Sequence, residues 1–194
     1  DLADVAAAHG QGVYSQLGHL LVMTSKAAID GKQCPTAVVG WRSHACPRVC
    51  RSTFAAETMA GLEGWEEALT FRSFIAGALH ADPARAQEDC ARQLFPIVSL
   101  TDCKSLYDNV HRVGGPKAPS EKRLVVDLTA LRAMVNAEAN YWGHLIPGGK
   151  TLRWLPTGDQ WADVLTKVIH VRSWWRNLRV TNLPFSSEQA QQRI

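Results

Sequence analysis

Four acidic residues, Asp4, Glu57, Asp102 and Asp163, stand far apart in the chain, each near the point where one predicted element hands over to the next. Carboxylates scattered in this way suit a fold that gathers them at one place. The chemistry of such a cluster is two-metal phosphoryl chemistry, because two Mg²⁺ ions roughly 3.5–4 Å apart need several oxygen ligands, some of them shared. Singly, each acid has an ordinary explanation. Asp4 suits a turn in a frayed terminus. Glu57 and Asp163 suit the positive ends of helices, Asp163 with Lys167 four residues on as an ion-pair partner. Asp102 suits the N-cap of a helix that opens at Lys104. The four together, at separate element ends, argue for a metal site.

The elements that would have to position these acids follow from hydrophobic period. Residues 16–24 (QLGHLLVMT) and 36–43 (TAVVGWRS) are β-rich runs around a polar, Gly-containing loop, and predict an antiparallel hairpin. Ser52 or Thr53 opens a long helix to about residue 79, with Leu62, Trp65 and Leu69 as its apolar stripe. A second face of that helix carries Glu57, Gly61, Gly64 and Ala68, so small residues follow the carboxylate and let this face lie close against a sheet. Residues 81–94 read as a charged surface connection. Residues 95–101 (FPIVSLT) form a buried-strand run that ends at Asp102, and a short helix begins at Lys104. Gly114, Gly115, Pro116 and Pro119 break the chain before an amphipathic helix lined by Leu124, Leu128, Leu131 and Val135, with Glu138 near its end. Residues 150–155 (KTLRWL) read as a further strand, 156–159 as a turn, and 160 to about 179 as a final helical region. Strands, a helix, then strand, helix, strand, helix is a mixed α/β plan, and in such sheets ligands bind at the carboxyl ends of strands.

With 194 residues, 46% of them apolar, the chain can bury one substantial core, here assigned to residues 1–182 with 183–194 as a loose tail. The net charge of +3 permits a nucleic-acid partner without demanding one. No run of 18 apolar residues and no signal-peptide core is present, so neither a membrane span nor secretion is expected. A chain opening at Asp1 without Met reads as a fragment, either a processed product or one piece of a longer polyprotein, with a strand expected before residue 1. Cys34, Cys46, Cys50, Cys90 and Cys103 are odd in number and irregularly spaced, which predicts reduced thiols. His44, Cys46 and Cys50, with Cys34 as a fourth candidate, hint at zinc, yet they lack the paired C-x-x-C of convincing sites. Trp174 and Trp175, beside Arg172 and Arg176, suit packing of the last helix better than stacking on bases.

Several ordered motifs carry a family resemblance: Ser15-Gln16-Leu17-Gly18, Trp41-Arg42-Ser43, Ser52-Thr53-Phe54-Ala55-Ala56-Glu57-Thr58, Thr101-Asp102-Cys103-Lys104-Ser105-Leu106-Tyr107-Asp108 and Ala162-Asp163-Val164-Leu165-Thr166-Lys167. Together, over roughly residues 1–170, they resemble the ribonuclease H domain at the end of the polyprotein of copia-type LTR retrotransposons. The resemblance implies a ribonuclease H-like mixed five-stranded sheet flanked by helices, its first strand truncated here, with reverse transcriptase immediately upstream. It also implies a cytoplasmic life in a virus-like particle, with the nucleus as the alternative. The family's metal-binding acids match Glu57, Asp102 and Asp163. For the first acid, Asp4 fits the family's spacing to the S-Q-x-G strand without an insertion, whereas Asp1 needs three extra residues. The implied activity is endonucleolytic hydrolysis of the RNA strand of RNA–DNA hybrids. Its cofactors are two Mg²⁺ ions, with Mn²⁺ as a substitute, Asp4 and Asp102 bridging and Glu57 and Asp163 each holding one. No histidine lies between Leu155 and Asp163, where many cellular relatives have one. Arg42, Arg48 and Arg51 around the loop into the long helix, Lys104 beside Asp102, and Lys117, Lys122 and Arg123 are the candidate phosphate contacts. The rivals are a catalytically silent hybrid-binding module, an integrase, whose glutamate comes last in chain order whereas Glu57 comes second, and a zinc-dependent interaction module.

Overall fold

The computed structural model describes residues 15–30, 32, 34–50, 52–115 and 121–167. Asp1, Asp4, Arg51, Lys117 and the pair Trp174-Trp175 lie outside them, as does the tail from 183.

Alternation along Gln16–Thr24 (β1) turns Leu17 and His19 inward, and β1 pairs antiparallel with Thr36–Ala45 (β2) from Gln16 opposite Ala45 to Thr24 opposite Thr36. The register slips between Leu21 and Val22, where β2 spends one extra residue beside Gly40. The connecting loop contains a one-turn helix, Lys26–Ile29 (α1), which the sequence reading passes over as loop. Ser52 caps the long helix Thr53–His80 (α2) by accepting from the Ala55 amide at 3.2 Å, and Ala81 ends it in the left-handed region at φ 48°.

Residues 81–94 are more than a surface connection. They include a 3₁₀ turn, Pro83–Ala86, and a short helix, Glu88–Ala91 (α3), whose Ala91 is buried. Glu88 accepts from Arg72 of α2 at 2.7 Å. Parallel strands need a crossover, and here Ser99–Thr101 (β3) reaches Leu152–Trp154 (β4) through Lys104–His111 (α4) and Lys122–Trp142 (α5). Leu106, Val110, Leu128, Leu131 and Val135 from these helices close over Trp65, Ile97 and Leu152 to make the main core.

One buried ion pair sets where β3 begins. Arg72, fully buried, donates to both oxygens of Glu138 on α5 at 2.7 and 3.1 Å and to the Phe95 carbonyl at 3.1 Å, while Glu138 also accepts from the Ile97 amide at 2.8 Å. Buried charges persist when their hydrogen bonds are filled in this way. The pair therefore joins α2, α5 and the chain entering β3 at one point, a few residues before Asp102.

The architecture is mixed α/β, but the described residues hold two two-stranded sheets rather than five strands in one. Between β1 and β3 runs a cleft of about 540 Å³. Residues 18–24 line one wall and residues 95–101 the other; Gly61, Gly64 and Trp65 of α2 lie below, and Ile29 and Trp161 also line it. Among the described residues, no helix is long and apolar enough to cross a membrane.

Candidate metal centre

Glu57 lies in the second turn of α2, Asp102 directly follows β3, and Asp163 sits in the 3₁₀ turn Trp161–Leu165, not in the regular helix that the sequence suggests from residue 160. Gln160 caps that turn by accepting from the Ala162 amide at 3.4 Å. Two contacts hold it against the hairpin. Ser43 of β2 donates to the Leu165 carbonyl at 2.5 Å. Gly18 of β1 lies beneath it so closely that an added Cβ would stand 2.8 Å from Thr166 Cγ2 and 3.0 Å from Leu165 Cβ. The glycine is required here by close approach. Gly64 does the same for α2, with His19 Cβ 3.1 Å from where its own Cβ would be. At Gly64 the small-residue face that follows Glu57 therefore lies against β1, whereas Gly61 faces Leu131 of α5 and Leu106 of α4.

This packing brings three of the four acids into one electrostatic neighbourhood. The Glu57 carboxyl is raised above its ordinary range, first by burial and then by the negative charges of Asp102 and Asp163, with Lys167 pulling the other way. Lys167 Nζ lies 2.7 Å from Asp163 Oδ2, the expected partner four residues on. Its ammonium is held above its ordinary range by that hydrogen bond, and the charges of Asp102 and Glu57 act in the same direction. The backbone at Asp102 is pinned because its carbonyl accepts from Trp154 Nε1 at 3.0 Å. Among the described residues, no three His, Cys, Asp or Glu side chains are disposed to hold a single ion. The three acids are neighbours in charge without forming a complete cage.

No protein-family model, curated protein or solved structure matches this chain. The residues alone therefore carry the functional argument.

The basic candidates divide by partner. Arg48 is engaged with Asp127 of α5 and with Met59 Sδ at 3.0 Å, and Lys104 pairs with Asp108 at 2.5 Å. Arg42, Lys122 and Arg123 are exposed. The zinc hint separates: His44 Nε2 faces Glu63 at 3.3 Å, and the Cys34 thiol lies 2.9 Å from the Thr24 hydroxyl, in a different core cluster from Cys46. Sequence reasoning misses the positioning roles of Gly18 and Ser43. An isolated glycine in a strand is a signal for the first; nothing local signals the second.

Proposed function

We propose that this chain is a ribonuclease H-like nuclease domain that hydrolyses the RNA strand of RNA–DNA hybrids, of the kind found beside reverse transcriptase in copia-type retrotransposon polyproteins. The observation that carries this reading is the convergence of Glu57, Asp102 and Asp163, from a helix, a strand end and a 3₁₀ turn, on one region where the charges of the two aspartates act on Glu57 and those of all three acids act on Lys167. A buried carboxylate whose proton affinity is raised by two neighbouring acids suits a cation, and hard oxygen donors suit Mg²⁺ or Mn²⁺.

The cleft supports the same reading. Gly18, at the start of β1, and Thr101, at the end of β3, both line it and both adjoin the acid-bearing segments. The two walls therefore run in opposite directions away from the acids. A strand laid between them, antiparallel to β1, would be parallel to β3 and would join two sheets of two strands into one of five. The resemblance implies that the strand completing the sheet carries the first acid, Asp4, which lies outside the described residues. Glu57 lines the same cleft, so an acid on that strand would meet the other three.

With divalent ions bound, the chemistry supplied would be activation of the attacking water and stabilisation of the leaving 3′-oxygen. Glu57, Asp102 and Asp163, with Asp4 as the fourth acid, would hold those ions. Trp154 and the Arg72–Glu138 pair fix the backbone around Asp102, and Ser43 and Gly18 fix the Asp163 turn. Arg42, Lys122 and Arg123 offer exposed charge for phosphates, a contact that positions a duplex without reading its sequence.

A catalytically silent hybrid-binding module is the second reading, favoured by two observations: the Asp163 carboxylate is already paired with Lys167, and the described acids do not close around one ion. Cleavage of an end-labelled RNA–DNA hybrid in Mg²⁺, by the parent and by Asp102→Asn, separates the two. Cleavage by the parent alone supports the nuclease. Hybrid binding without cleavage by a folded parent gives the silent module.

A further inference from the structure

Three sulfur atoms meet where the end of the hairpin packs on α2. Cys46, just past β2 and only 2% exposed, places its Sγ 3.3 Å from Cys50 Sγ and 3.7 Å from Met59 Sδ on α2, and Cys50 Sγ lies 4.0 Å from the same Sδ. A three-coordinate ion with metal–sulfur bonds of roughly 2.3 Å, the length of a zinc–thiolate bond, would hold its sulfurs roughly 4 Å apart. The triangle already has nearly those edges, and the two thiols need to part by only about 0.7 Å.

We propose that Cys46, Cys50 and Met59 form a binding site for a soft monovalent cation, of which Cu(I) is the physiological example.

Ligand type selects the ion. Two thiols and a thioether, with no oxygen or imidazole among the described residues completing the set, favour Cu(I) over Zn²⁺, which takes four ligands from Cys, His and carboxylates. His44, the one imidazole near in sequence, is turned to Glu63. Charge also fits. Binding releases two thiol protons and leaves two thiolates around one positive ion, a net charge of −1. The Arg48 guanidinium, with Nε 3.0 Å from Met59 Sδ, stands beside it as counter-charge, itself anchored by Asp127. Cys50, part-exposed, is the way in.

The same pair of thiols invites a disulfide, and the chemistry argues against it. Thiolates, not thiols, react with oxidants. Burial, then the hydrogen bond with Cys46, pushes the Cys50 thiol up to about 11. A soft ion that binds thiolate tightly displaces such protons as it binds; an oxidant has little thiolate to attack.

The test is anaerobic titration of the whole chain with Cu(I), in competition with the chromophoric chelator bicinchoninate. The parent should withhold one equivalent from the dye, and replacing Cys34, Cys90 and Cys103 together with Ser should leave that equivalent in place. Met59→Leu, which keeps the core volume, should weaken binding about tenfold, and Cys46→Ser or Cys50→Ser about a hundredfold or more, by comparison with the 10–100-fold typical of groups one shell further out. Far-UV circular dichroism checks that each variant is folded. An equivalent that survives Cys46→Ser with Cys50→Ser, or one indifferent to Met59→Leu, overturns the assignment. So does a parent that yields all its Cu(I) to the dye.

Discussion

Glu57 is where the electrostatics of the acid cluster converge. Burial and the charges of Asp102 and Asp163 all disfavour its ionised form, and Lys167 offsets only part of this. Without divalent ions, ionised Glu57 therefore costs stability. Glu57→Gln keeps the shape and removes the like charge. In EDTA it should raise Tm by about 2–4 °C, the equivalent of ~1 kcal/mol in a chain of this size, while abolishing Mg²⁺-dependent cleavage. Calorimetry on the two proteins decides: a Tm equal to or below the parent's would mean that the acids do not burden one another. Gly18 makes the complementary case, in which space rather than charge is limiting. Gly18→Ala forces a methyl onto Thr166 and Leu165 and should cost about 1–3 kcal/mol in a urea melt. Thr166→Ser removes the atom struck first, and the double variant should recover part of that loss; simple additivity would place the strain elsewhere.

At the scale of elements, the Arg72–Glu138 pair and His111 hold the helices to the strands. Glu138→Ala leaves Arg72 buried without its main partner and should cost about 3–5 kcal/mol, whereas Arg72→Met with Glu138→Leu should return most of it. A double variant as unstable as the single would show that the pair is irreplaceable. His111, at the end of α4, meets the Leu152 carbonyl of β4 at 2.9 Å, and burial lowers its pKa from an ordinary 6.5. Between that lowered value and about 6.5 the unfolded chain binds more protons than the folded one, so stability rises with pH across this window and is lost on acidification. Melts of His111→Asn from pH 4.5 to 7.5 should lose that part of the slope. Periodicity made the helix stripes legible: Leu124, Leu128, Leu131 and Val135 face the core as their spacing demands. It could not disclose Glu138, read as a residue near a helix end, because its partner lies 66 positions away and only tertiary packing brings the two together. Residues 95–101 read as one strand, but only 99–101 have a ladder partner among the described residues. The acids were legible through their motifs, while Ser43 and the sulfur triangle arise from contacts that no local pattern encodes.

At the scale of the whole molecule, the edges of β1 and β3 that no strand among the described residues answers set the terms. An unpaired edge is a template for another strand. Here two edges face each other across one cleft, with α2 on one side and Ile29 and Trp161 also against it. A strand placed there would lie against α2, Ile29 and Trp161, which calls for an apolar run. The residues ahead of β1, Leu2-Ala3-Asp4-Val5-Ala6-Ala7-Ala8, are such a run, broken only by the acid that the metal site calls for. If they fill the cleft, the amides of 18–24 that point away from β2, and those of 95–101 that point away from β4, should exchange with solvent only through global unfolding. Leu2→Asp with Val5→Asp should free both sets together and increase binding of an apolar dye, and cleavage should vanish with them. Fast exchange at both edges in the parent would leave the two sheets separate and remove the route by which a fourth acid joins Glu57, Asp102 and Asp163. Slow exchange at both, lost in the variant, would tie the completion of the sheet and the completion of the site to a single event.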